Sequence, residues 1–332
     1  MESFNDAEDR VILAAAQTLF EMIVAVAGDD GRRHRRPRQI EKATVRNNTW
    51  ENVEAGPNDG WYRANLQVNR ATFNQIVEMI EDYAISAEIQ MPAANAYVDL
   101  RKQVAMTLKY LAQESGFQDT ATIFGVVSKA TTIRAINRIL DILYTLSPSV
   151  ISFPKTEEKW KEIMEGFYQT ENYPGVVGVV DGSLFAIERP TDYEGWICRK
   201  GFAAVNMQAT VDHNAKFMEY SLRPGSSSDK NLWSKSSLGK NIQSILPPTT
   251  HLLGDAGYTI SEYLMIPYPI TNDMSESDRQ YNSYHSRTRI TVERAFGLLK
   301  AYYIFMHEAT IVPEYGHARR HHTKARKIIK VV

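Results

Sequence analysis

The chain has 332 residues, 43% of them hydrophobic, and a formal net charge of −1. That length allows two domains of ordinary size, and no apolar run approaches the roughly 18 residues a membrane span needs, so no membrane association is expected. The single cysteine, Cys198, excludes an internal disulfide framework and a multi-cysteine zinc site, and makes a reducing compartment the default.

The acidic start, Met1-Glu-Ser-Phe-Asn-Asp-Ala-Glu-Asp9, is unlike a secretory signal. Val11, Ile12, Ala15, Leu19, Met22, Ile23 and Val26 recur at helical spacing and predict an amphipathic helix over 6–28. Arg32-Arg-His-Arg-Arg-Pro-Arg38 follows. It reads either as a nuclear-import signal or phosphate-binding arm, or as a solvated basic linker. Residues 39–60 read as a polar loop. A helix is predicted over 69–82, with Phe73, Ile76, Val77 and Ile80 as its buried stripe and Asn69 as its N-cap.

Residues 98–147 read as three helices. Leu100, Val104, Leu108 and Leu111 stripe the first, which Gly116 breaks. A short helix over 120–124 closes at Gly125. Ser128 then caps a third, with Ile133, Ile136, Leu140 and Leu143 on its core face. A short helix, a glycine turn and a capped helix resemble a helix-turn-helix. The third helix is expected to expose Lys129, Thr132, Arg134 and Arg138, which suit phosphates and base edges, although many helical bundles share the pattern.

Pro148 and Pro154 mark a boundary. A charged amphipathic helix is predicted over 155–167, carrying Trp160, Ile163, Met164 and Phe167. From Pro174 the period becomes that of strands. Val176-Val-Gly-Val-Val180 is a nearly continuous apolar run, as suits a central buried strand. Strands over 202–212 and 217–223 follow, joined by the turn Asp212-His-Asn-Ala215. A short helix over 232–238 and a buried strand over 249–255 come next. Residues 266–288 read as irregular, and a last helix spans 290–305.

Two strand-like runs thus end in an aspartate with a glycine close behind, Asp181-Gly182 and Asp255-Ala-Gly257, and a later helix carries Glu293. Strand with Asp, two more strands, strand with Asp, then helix with Glu is the order by which an RNase H-like domain builds its catalytic centre. Three converging carboxylates suit Mg²⁺ or Mn²⁺, hard cations that prefer oxygen. Two such ions about 4 Å apart can drive displacement at a phosphodiester. Asp181, Asp255 and Glu293 are therefore the expected catalytic and metal-binding residues. The glycines after the aspartates are expected to leave room for a nucleic-acid backbone. Arg289 and Lys300 lie at −4 and +7 from Glu293, on its helix face, where they would meet DNA phosphate. Each residue alone has a blander reading: Asp-Gly is usually a turn, and Glu293 alone an ion-paired surface residue. Asp229, after a Pro-Gly-Ser-Ser loop, competes for the second carboxylate and is expected nearby as an auxiliary residue. Glu188-Arg189 is assigned no role. His317 and His321 sit at i, i+4 but lack an evident third zinc ligand.

From Trp61-Tyr-Arg63 to residue 303 the chain resembles the transposases of PIF/Harbinger DNA transposons and the domesticated nucleases derived from them. The resemblance rests on Leu108-Lys-Tyr-Leu-Ala112, Pro174-Gly-Val-Val-Gly-Val-Val-Asp-Gly182, Lys200-Gly-Phe202, Asn206-Met-Gln208, and Pro224-Gly-Ser226 with Asp229. It continues through Leu253-Gly-Asp-Ala-Gly-Tyr258, His285-Ser-Arg-Thr-Arg289 and Val292-Glu-Arg-Ala-Phe-Gly-Leu-Leu-Lys300. It implies an α/β fold with an RNase H-like mixed sheet flanked by helices, preceded by an all-α helix-turn-helix-like region. It also implies a DDE triad at Asp181, Asp255 and Glu293, Mg²⁺ or Mn²⁺ as cofactor, nuclear location and transposition. Family members often act with a separate Myb/SANT-like DNA-binding partner; homo-oligomerisation is left open. The sequence departs from the pattern at Leu184, where the family usually has His, and over 306–332, which reads as a divergent or truncated basic tail. The low net charge fits a need for a partner.

The expected division is 1–60, N-terminal helix and basic linker; 61–150, helix-turn-helix-like region; 151–305, RNase H-like nuclease domain; and 306–332, basic tail. The expected activity is metal-dependent hydrolysis of DNA phosphodiester bonds at transposon ends. The competing readings are a domesticated, catalytically silent scaffold acting through its partner, and an RNase H-like nuclease that cuts RNA.

Overall fold

The computed structural model of the chain describes residues 46–112, 116–187 and 194–302. The predicted helix over 6–28, both basic runs, Glu188-Arg189, His317 and His321 lie outside these residues.

The described chain opens with helices. The segment expected to be loop over 39–60 instead supplies α1 (Thr49–Ala55) and the start of α2 (Asp59–Leu66). The reason is Trp50, 2% exposed, whose ring lies 5.6–6.1 Å from those of Trp61, Tyr62, Phe73 and Phe124. One large aromatic thus outweighs polar neighbours by packing across the bundle. In α3 (Arg70–Ser86), Phe73, Ile76, Val77 and Ile80 are buried as predicted, and the Asn69 side chain accepts the Thr72 N–H at 2.8 Å.

Next come α4 (Leu100–Ala112), α5 (Phe117–Ile123) and α6 (Lys129–Val150). Every residue from Lys102 to Ala112 is buried, so α4 is a central helix rather than a striped surface one. Lys102 Nζ reaches Glu51 at 2.8 Å and Lys109 Nζ reaches Asn65 at 2.8 Å. Between α5 and α6, Gly125 has φ +64°, and a Cβ there would lie 2.5 Å from Asn47 N; the turn needs glycine. Ser128 occupies the N-cap position of α6, but its side chain makes no cap hydrogen bond. Pro148 lies inside α6 rather than ending it.

After α7 (Glu157–Glu171), a five-stranded sheet forms in the order β3-β2-β1-β4-β5. The strands are β1 (Val176–Ala186), β2 (Ala204–Val211), β3 (Phe217–Pro224), β4 (His251–Leu253) and β5 (Leu264–Met265). β1, β2 and β3 pair antiparallel, and β1–β4 and β4–β5 pair parallel. This mixed sheet flanked by helices, behind an N-terminal helical region, is the expected α/β architecture and is consistent with an RNase H-like fold. The single helix expected over 232–238 is two, α8 (Asp229–Lys235) and α9 (Ser237–Ile245), each capped by a serine hydroxyl. The last described helix, α10 (Glu276–Tyr302), begins well inside the stretch read as irregular.

One sheet face packs Phe185, Val205, Met207, Ala209 and Val211 against Val292, Ala295, Phe296 and Leu299 of α10. The other packs Val177, Val180 and Leu252 against Leu238 and Ile242 of α9. On β3, opposite Thr210, Glu219 has a buried carboxylate oxygen with no hydrogen-bond partner. Burial raises its pKa from 4.5 to about 8. Over that window the folded chain holds a proton the unfolded chain has lost, so stability should fall as pH rises from about 4.5 to about 8. Glu219→Gln should remove this slope and raise the melting temperature at pH 8 more than at pH 5, as thermal melts would read. A wild-type pH slope unchanged in the variant would contradict the assignment.

Candidate active site

The sheet creates a notch at the end of β4. Pairing of β1 with β4 ends at Val179 and Leu253, two residues before Asp181 and Asp255. β1 runs on against β2, where Asp181 lies opposite Ala209. β4 is shorter than the strand predicted over 249–255, so Asp255 sits in the loop just beyond it. Asp181 Oδ1 accepts the Gly182 N–H at 2.8 Å, and Asp255 Oδ1 accepts the Gly257 N–H at 2.9 Å. Each aspartate is thereby oriented by the backbone immediately after it.

Asp229, at the start of α8, completes the cluster. A Cβ at Gly182 would come 2.7 Å from Asp229 Oδ1, and one at Gly257 would come 3.2 Å from Asp229 Oδ2. The space these glycines were expected to leave for nucleic acid is therefore occupied by the Asp229 carboxylate. Asn206 steadies the loop before Asp229 through its Nδ2 bond to Ser227 O at 3.0 Å, while its buried Oδ1 has no partner. In sequence Asp229 follows a loop and ends no strand, which suggests an auxiliary residue; the structure puts its carboxylate against Gly182 and Gly257.

The electrostatics reflect burial first and crowding of like charge second. Asp181 is pushed up to about 6, chiefly by burial and further by Asp255 and Asp229; the Gly182 N–H and Arg289 oppose this. Asp229 is raised by burial and then by Asp255, with Arg199 and Asn206 opposing. Beneath them Tyr258 is 3% exposed, and burial and the three aspartates push its hydroxyl well above its ordinary value.

Glu293 approaches from α10, half-exposed. One guanidinium links it to the cluster: Arg289 donates from one terminal nitrogen to Asp181 Oδ2 at 2.9 Å and from the other to Glu293 Oε1. Among the described residues, no three His, Cys, Asp or Glu side chains are gathered closely enough to enclose a metal ion as they stand. Arg289 takes the place of a cation between Asp181 and Glu293. The donor set nonetheless suits a hard divalent ion: oxygen-only, acidic, partly buried, with an orphaned amide oxygen alongside.

The expected nucleic-acid residues fall in three settings. Arg289 bridges Asp181 and Glu293. Lys300 turns toward β1, donating to Ser183 Oγ at 2.7 Å and Leu184 O at 3.2 Å, with burial and then Lys200 lowering its pKa. On α6, Arg134 and Arg138 are exposed and Lys129 is half-buried, whereas Thr132, expected on the exposed face, is buried. Its hydroxyl faces back to Ser128 O at 3.4 Å. No described helix is long and apolar enough to cross a membrane.

Residues 180–332 match the family model described as DDE superfamily endonuclease. "Putative nuclease HARBI1" of Mus musculus and of Homo sapiens are each 29% identical over 175 residues, covering 52% of this chain and 50% of theirs. The same protein of Xenopus laevis is 26% identical over 170 residues, 51% of this chain and 48% of its own. The chain spans about half the length of the curated relatives it matches. No solved structure matches it significantly.

Proposed function

Because the chain carries a DDE superfamily endonuclease domain homologous to the HARBI1 proteins, we propose that it is a PIF/Harbinger-type transposase or endonuclease that hydrolyses DNA phosphodiester bonds at transposon ends. The observation that carries this reading is the gathering of Asp181, Asp229 and Asp255 where β4 leaves β1, with Glu293 tied to Asp181 through Arg289. Asp181, Asp255 and Glu293 would hold Mg²⁺ or Mn²⁺, with Asp229 as a further oxygen donor; Glu293 becomes available when Arg289 releases it. When bound, such ions supply Lewis-acid polarisation of the phosphodiester and charge for the departing oxygen. The chain itself contributes orientation: the Gly182 and Gly257 N–H groups fix the Asp181 and Asp255 carboxylates. Arg289, once displaced, is positioned to meet the phosphate.

The remaining parts of the reading are the division at about residues 60, 150 and 305, a nuclear location, a helix-turn-helix-like DNA contact through Lys129, Arg134 and Arg138, and a Myb/SANT-like partner. A catalytically silent, domesticated scaffold is the second reading; Leu184 and the Arg289 bridge between two carboxylates favour it.

The test is incubation of the full chain with supercoiled plasmid and Mn²⁺. Nicked circles that disappear on adding EDTA, with a matched RNA left intact, are expected. Cleavage of RNA alone would replace DNA by RNA as substrate. No cleavage with Mg²⁺ or Mn²⁺, with or without a captured DNA-binding partner, would leave the scaffold.

A further inference from the structure

Beside the carboxylates stands a hairpin that the chemistry above does not use. The Gly201 N–H donates to Cys198 O and the Cys198 N–H to Phe202 O, both at 2.9 Å. These bonds close a three-residue loop of Arg199, Lys200 and Gly201. Gly201 has φ +85°, the left-handed geometry that this kind of loop needs at its third position. Ile197 and Ala203 bridge just below.

The foot of the hairpin is rigidly held. Cys198 is 4% exposed. The Ser226 N–H donates to Gly195 O at 3.1 Å and the Gly225 N–H to Ala204 O at 2.8 Å. A Cβ at Gly225 would lie 2.7 Å from Ala204 O, so the two segments pack backbone to backbone. The bracing segment is the loop that ends in Asp229.

The tip is cationic, and an aromatic ring stands at its foot. Arg199 and Lys200 are exposed, and Phe202 is 38% exposed. Arg199 acts electrostatically on Asp229, and Lys200 on Lys300. Because its foot is tied through Gly195 and Ala204 to the loop that ends in Asp229, the hairpin stands on the rim of the acidic centre. An acidic centre repels the phosphate chain it is to act on, so approach requires cations at the rim held apart from the carboxylates. A single exposed phenylalanine is ordinary. One at the foot of a braced hairpin whose loop carries two cations, next to a carboxylate cluster, has the make-up of a surface for unpaired nucleic acid: charge for the backbone and a ring for a base.

We propose that the Cys198–Phe202 hairpin is a finger for unstacked DNA, in which Arg199 and Lys200 hold phosphates flanking the carboxylate centre and Phe202 stacks on an exposed base. The proposal rests on the nuclease reading for its choice of DNA.

It is tested by fluorescence anisotropy of labelled oligo-dT with the full chain in EDTA, where cleavage is suppressed. Phe202→Ala should weaken binding roughly tenfold or more. Phe202→Trp should retain it, its added indole emission being quenched on binding. Arg199→Ala with Lys200→Ala should flatten the log–log salt dependence by about 1.4, for two single-strand phosphates lost. Melting temperatures should stay at the wild-type value, because the altered side chains are exposed. Wild-type affinity in both Ala variants, or no oligo-dT binding by the wild type, overturns the finger. Hairpin-dependent binding by a chain that never nicks DNA would overturn the nuclease reading and leave the finger standing. Nicking indifferent to the hairpin variants would do the reverse.

Discussion

Asp181→Asn is expected to reduce Mn²⁺-dependent nicking of DNA by about a thousandfold or more, because groups that act as a unit in catalysis fail together. Asp181 is central to the cluster: it lies between Arg289 and the other two aspartates, and its ionised form is already disfavoured by burial. The amide keeps the shape and the oxygen that accepts the Gly182 N–H, but loses the charge that a ligand for a hard cation would need. Folding should not suffer. A neutral side chain at a partly buried site beside two carboxylates relieves like-charge repulsion. Arg289 keeps its bond to Glu293 in the variant. The expected result is therefore lost nicking and lost calorimetric Mn²⁺ binding at an unchanged or slightly raised melting temperature. Nicking at the wild-type rate would remove Asp181 from the site. Lost nicking with a collapsed melting transition would make its role structural.

Trp50→Ala should destabilise the helical region by about 3–5 kcal/mol, the usual cost of deleting a large buried aromatic. The Trp50 ring is the hub of the cluster that joins α1, α2, α3 and the turn after α5. Its removal leaves a cavity that Trp61, Tyr62, Phe73 and Phe124 cannot fill together without leaving their rotamers. Trp50→Phe should cost much less. The indole N–H is buried without a hydrogen-bond partner, so a smaller ring gives up volume but also an unpaired donor. Denaturant melts of both variants check this. Equal stability of Trp50→Ala and wild type would mean that the segment over 39–60 is the loop its polar composition suggests.

That segment shows where local reading stops. Phe73, Ile76, Val77 and Ile80 announce their helix because four apolar residues repeat at one period, and Asn69 announces its start because a cap is a local bond. Val176 to Val180 likewise declare a buried central strand by composition alone. Trp50 has no such repeat; its helix exists because distant rings surround it. The start of α10 at Glu276 is hidden in the same way, since its first turns are polar and the apolar stripe from Val292 lies far along the helix.

The candidate site divides along the same line. The sequence alone singled out Asp181, Asp255 and Glu293 as candidates, because each lies in a motif whose neighbours are local: an apolar run, a glycine, a helix face. Only the tertiary structure brought Asp229 against Gly182 and Gly257, and only it put Arg289 between Asp181 and Glu293. Arg289 and Glu293 are an i, i+4 pair that the helix period already places together; the other contacts join residues 28 to 108 positions apart, and no periodicity encodes them. They follow from one fact of sheet register, that β4 stops two residues before Asp255 while β1 continues, which opens the notch into which a loop and a helix face can each deliver a side chain.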